Sequence, residues 1–160
     1  MRWSRAKAEG DEGHAVVENR QPLIGRVSIG PSVILAGYDF SDASSHALVY
    51  AAGLAERTGG RLFVVSAHQP TITAIEYPPL TPAGAEHVAV KVRELLGRTP
   101  GQCGVLVECG DPATVIQRTA TAISADVVVV GRPRHPWLHL LGSVPARLMR
   151  HATQPVLVVP

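Results

Sequence analysis

From Ser32 to the end of the chain, apolar positions follow two alternating rhythms. Short apolar runs rich in branched residues, "SVILAG", "RLFVVSA", "GVLVEC", "DVVVV" and "QPVLVV", read as strands, and the lack of alternation in "DVVVV" marks a strand covered on both faces. Between them apolar residues recur at helical spacing. Ala47, Leu48, Ala51, Leu54 and Ala55 share one face and stop at Gly59-Gly60, and Ala85, Val88, Val92, Leu95 and Leu96 share another and stop near Gly97. "GDPATVIQRTATAISA" predicts a third helix, with Asp111 as its cap and Pro112 at the first helical position, where a missing N–H costs nothing. "PARLMRHA" predicts a fourth. "HQPTITAIEYPPLTP" is proline-rich and reads as a surface connection.

Strand and helix alternate through one unit. The predicted class is therefore α/β, a single doubly wound domain with a parallel sheet and right-handed crossovers. Residues 1–30 carry charges of both signs and no apolar periodicity, and are read as a disordered N-terminal tail, which leaves residues 31–160 as the domain. In open parallel sheets a ligand sits beyond the carboxyl ends of the strands, where strand order reverses. The segments that directly follow strands are therefore the ones to read for chemistry: "GYDFS", "SAHQP" and "GRPRHP".

Composition narrows the function classes. A hydrophobic fraction of 46% with 18% charged residues belongs to a globular protein, and a formal charge of +2 gives no case for a nucleic-acid binder. The distribution is more informative. Residues 31–130 hold six Lys/Arg against nine Asp/Glu, whereas residues 131–160 hold Arg132, Arg134, Arg147 and Arg150 and no acid. Positive charge thus gathers around one loop and the helix after it. No apolar run approaches the roughly 20 residues of a membrane span, and the charged N-terminus does not resemble a secretory signal, so the expected location is the cytoplasm. Cys103 and Cys109 are expected reduced.

Two stretches carry candidate chemistry. In "AGYDFSDAS", Asp39 follows the first strand and could accept from a ribose hydroxyl or stay a solvated turn residue, while Ser41 or Asp42 fits a helix N-cap. In "GRPRHPWLHLLGSV", Gly131 and Gly142 allow close backbone approach, and the Ser143-Val144 helix start offers unpaired N–H donors and the positive end of a helix dipole. About a dozen residues join strand to helix here, more than a simple connection needs. His135 and His139 stand four apart, but Pro136 between them argues against a helical metal pair. No nucleophile-elbow pattern accompanies the serines, which argues against a serine hydrolase.

Together, "VILAGYDFSDASSHALVYAAGLAERTGGRLFVV", "ECGDPATVIQRTATAISADVVVVG" and "GSVPARLMRHATQPVLVV" resemble the universal stress protein family from about Val33 to Val159. The resemblance implies a five-stranded parallel sheet in the order 3-2-1-4-5 with helices on both faces. It implies a regulatory protein of stress or dormancy responses, at most a slow ATP hydrolase, and a homodimer joined through the last strand. It also implies ATP or another adenine nucleotide, with magnesium, at the switch point. In the family's nucleotide-binding branch the loop after strand four reads Gly, two residues, Gly, nine residues, Gly, then Ser or Thr. Gly131, Gly142 and Ser143 match, with Val144 following; Asp39 takes the place beside the ribose and Ala67 the place beside the adenine.

The chain departs from that pattern at three points. Arg134 stands where the second glycine belongs, only seven residues separate it from Gly142, and Pro145 replaces a frequent Ser or Thr. Two missing residues shorten the loop's reach by roughly 7 Å. Arg134 in turn supplies a guanidinium suited to phosphate. The expected ligand is an adenine nucleotide held weakly in a modified cradle; the alternative is a dimeric interaction module of the same fold that binds no nucleotide.

Overall fold

The computed structural model describes residues 7–8, 14–20, 30–68, 82–97, 102–133 and 142–160. Strands β1 (Lys7–Ala8), β2 (His14–Arg20), β3 (Val33–Gly37), β4 (Arg61–His68), β5 (Gln102–Cys109), β6 (Val127–Gly131) and β7 (Val156–Val159) form one sheet in the order β1-β2-β5-β4-β3-β6-β7. Helices α1 (Asp42–Thr58), α2 (Pro82–Leu96), α3 (Pro112–Ala122) and α4 (Val144–His151) join them. The last five strands are parallel and, counted among themselves, run 3-2-1-4-5 as expected.

Alternate side chains of a strand point to opposite faces, and β3 shows what that requires at the centre of a doubly wound sheet. Ile34 and Ala36 join a core with Ala47, Leu48 and Ala51 of α1 and Val88 and Val92 of α2. Val33 and Leu35 join a second core with Val115 and Ile116 of α3 and Leu148 of α4. All five β3 residues are buried, which explains its unbroken apolar run. The Asp126 carboxylate ties the entry to this strand, accepting from the backbone N–H groups of Ser32 at 2.8 Å and Val33 at 2.9 Å.

Two expectations need correction. Residues 1–30 are not wholly without regular structure: β2 pairs antiparallel with β5 over its whole length, from His14 opposite Glu108 to Arg20 opposite Gln102. Within β2 itself the apolar signal is only "AVV" among polar residues. The free edge of β5 supplies the backbone partners that composition could not announce. In α2 the buried face turns: Ala89 is fully buried beside Val88 and Val92, whereas Leu95 is exposed. The proline-rich connection falls outside the described residues.

Candidate functional site

Parallel strands place every following helix with its N-terminus at the same end of the sheet. At that end, where β3 and β6 diverge, lies a cavity of about 460 Å³. This is an ordinary size for a small-molecule site. The first turns of α1, α3 and α4 all border it, so three helix dipoles direct their positive ends toward one space. Asp39, Ala67, Gly131, Gly142, Ser143 and Val144, all singled out from the sequence, line this cavity together. Arg134 falls outside the described residues.

The β3 wall is built by local contacts. Asp39 Oδ1 accepts from the Ser41 N–H at 3.1 Å and from the Ser41 hydroxyl at 2.5 Å. Ser41 in turn caps α1, accepting from the Ser44 N–H at 3.1 Å, and the Ser44 hydroxyl donates to the Ser41 carbonyl at 2.9 Å. Between these residues Phe40 takes a left-handed backbone with φ of 62°, uncommon for a bulky side chain. Its ring packs against Tyr38 at 4.9 Å and His87 at 5.9 Å, contacts that hold the strained turn. Burial pushes the Tyr38 phenol above its ordinary pKa. Asp39 is therefore a solvent-exposed, turn-closing carboxylate at the edge of the cavity.

Gly131 has a reason to be glycine that the sequence did not disclose. A Cβ there would lie 2.5 Å from the carbonyl carbon of Ala43 and 2.7 Å from the Ser44 nitrogen. The end of β6 thus presses directly on the first turn of α1, and packing demands glycine whether or not a ligand is bound. Gly142 differs: a Cβ there would meet only the Arg147 stem at ordinary contact distance, and its φ of 93° is what excludes other residues.

The opposite wall belongs to α3 and α4. Ser143 caps α4, its hydroxyl accepting weakly from the Ala146 N–H at 3.4 Å, and its carbonyl accepts from the Arg147 N–H at 2.9 Å. Pro145 brings no N–H, so the first turn leaves the N–H groups of Ser143 and Val144 as its remaining backbone donors. Asp111 caps α3, accepting from the Thr114 N–H at 3.0 Å and the Thr114 hydroxyl at 2.8 Å. Its other oxygen accepts from an Arg147 N–H at 2.5 Å. The Arg147 guanidinium, chiefly, holds the Asp111 carboxyl well below its usual range, at about 2.

Sequence reasoning missed this pair. Asp111 is legible as a cap and Arg147 as one more positive charge, but they stand 36 residues apart, and only the fold brings both to the cavity. The segment 131–160 has no acid of its own; the fold supplies one. Arg132 also lines the cavity. Among the described residues no group of three or more His, Cys, Asp or Glu could hold a metal ion, and no helix is long and apolar enough to cross a membrane.

Comparison with known proteins gives this architecture a place. Universal stress protein G of Salmonella typhimurium is 42% identical over 62 residues, which span 38% of this chain and 43% of that protein's length. A solved universal stress protein family member from Burkholderia pseudomallei is 29% identical, covering 81% of this chain and 96% of that one, with a TM-score of 0.62. A universal stress protein solved in complex with cAMP is 24% identical, covering 81% and 97%, with a TM-score of 0.63; at that identity the likeness is one of fold. The profile of the Universal stress protein family matches residues 32–160. With four-fifths of its length matched, this chain belongs to the universal stress protein family.

Proposed function

We propose that the protein is a regulatory module that binds an adenine nucleotide, ATP foremost, in the cavity between β3 and β6, and acts in a stress or dormancy response rather than as an enzyme. The observation that carries this reading is convergence. Residues from the ends of β3, β4 and β6 and from the start of α4, chosen by motif position, line a single cavity bordered by three helix N-termini. The nucleoside belongs on the side of Asp39 and Ala67. The phosphates belong with Gly142, Ser143 and Val144 and with Arg134. Magnesium would arrive on the ATP phosphates rather than in a protein-built metal site. The family member solved with cAMP supports the ligand class.

A second reading, a dimeric interaction module, draws on β7. It ends the sheet on the side away from β2, and its four residues, Val156, Leu157, Val158 and Val159, are only half-buried. An apolar sheet edge tends to find a partner strand. We expect a homodimer through this strand in either case, and a cytoplasmic location. Protein purified from cells and denatured in acid should release adenine nucleotide detectable by ion-exchange chromatography. A nucleotide-free supernatant, together with an unshifted thermal midpoint in added ATP, would leave the dimeric module as the better reading.

A further inference from the structure

Arg147 is placed to serve two acceptors. Its stem runs past Gly142, with Cδ 3.8 Å and Cγ 3.9 Å from where a glycine Cβ would stand, and its guanidinium ends at Asp111. The side chain therefore starts beside the turn assigned to phosphate and reaches along the same wall to the N-cap of α3. Both members are partly open to solvent, at 39% for Arg147 and 38% for Asp111. A half-exposed pair of this kind is weakly held, whereas a guanidinium meets phosphate with two parallel N–H bonds. The α4 turn also lacks a donor at Pro145, so a side-chain donor adds to what the Ser143 and Val144 N–H groups can offer an anion there.

Resting on the nucleotide reading above, we propose that Asp111 and Arg147 form an exchangeable pair: an anionic group entering the cavity replaces Asp111 as the acceptor of the Arg147 N–H groups. Asp111 then acts as a built-in competitor. It keeps the empty site neutral at this wall and sets a threshold of charge that a ligand must bring. Polyphosphorylated nucleotides overcome it, and neutral nucleosides gain nothing from the exchange. Asp111 is a selectivity residue in this scheme, and Arg147 the donor it governs.

The test compares wild type, Asp111→Asn, Arg147→Gln and the double variant by calorimetry with ATP, AMP and adenosine. Asparagine is an effective N-cap, so Asp111→Asn removes the competitor while keeping α3 capped. Exchange predicts that Asp111→Asn raises the ratio of ATP to adenosine affinity by roughly two- to tenfold, with AMP between. It also predicts that this gain shrinks in the Arg147→Gln background, which a double-mutant cycle reads as coupling. If Asp111→Asn leaves the ATP to adenosine ratio unchanged or lowers it, the exchange is wrong while the nucleotide reading stands. If none of the three ligands binds wild type or any variant, the nucleotide reading itself fails and takes the exchange with it.

Discussion

The two walls of the cavity are held in different ways. On the β3 side, Asp39, Ser41 and Ser44 bond to one another within five residues of sequence, and a strained Phe40 locks the turn. On the α3–α4 side, Arg147 is joined to α3 by a half-exposed ion pair with Asp111, 36 residues away, and a long contact of 3.5 Å to the Thr114 hydroxyl. Local bonds backed by buried aromatic packing hold one geometry; a long-range surface pair can change partners. On the proposed nucleotide reading, the rigid wall suits the neutral nucleoside and the adjustable wall the charged phosphates.

Gly131, where β6 meets the rigid wall, should give the largest effect. Gly131→Val would drive a side chain into the α1 backbone, which cannot yield as a side-chain tip could. We expect a loss on the order of 3 kcal/mol in denaturant unfolding, with or without nucleotide. Wild-type stability in this variant would mean that the α1 turn is as adjustable as the opposite wall. Next comes Arg147→Gln, which should weaken ATP about tenfold, and AMP less, because charge-assisted contacts contribute roughly 1.5–3 kcal/mol each. Equal weakening of ATP, AMP and adenosine would show that Arg147 only supports the fold. Asp39→Ala should weaken all three ligands alike, by severalfold, and lower the thermal midpoint slightly through loss of the turn-closing acceptor.

The smallest effect is one of pH. The Asp111 carboxyl has its pKa lowered from 3.8 to about 2 by Arg147, so its stabilising contribution is fully present above the unfolded value and lost as pH falls through 2. The stability difference between wild type and Asp111→Asn should be constant from pH 8 to 5 and close between about pH 4 and 2. For a half-exposed pair it should amount to roughly 0.2–1 kcal/mol. A difference that grew on acidification would contradict the pairing.

The same contrast explains what was legible in the sequence. The parallel sheet, its strand order and the helix cap at Asp111 follow from local patterns and family texture, and the structure places them as read; of Ser41 and Asp42, it makes Ser41 the cap of α1. The candidate site was legible at the carboxyl ends of the strands, where Ala67 and Gly131 lie in the last residues of β4 and β6 and Asp39 lies just past β3. Three things were not. Strand β2 depends on the edge of β5, the pairing of Asp111 with Arg147 depends on α3 and α4 lying side by side, and the packing role of Gly131 depends on the approach of α1. Each is a contact between segments far apart in the chain, to which hydrophobic periodicity is blind. Gly131 adds a caution: a motif glycine can be required by packing alone, so its presence counts less toward a ligand than Gly142 and Ser143 do.

The central claim, that the cavity between these two walls takes an adenine nucleotide, is tested most directly by titrating ATP with magnesium into nucleotide-free wild-type protein in a calorimeter. The account predicts saturable heat with one nucleotide per chain, weaker binding of AMP, and a raised thermal midpoint under the same conditions. No heat and no thermal shift at millimolar ATP would contradict it, and would leave the convergence of helix N-termini at the switch point without a nucleotide to explain it.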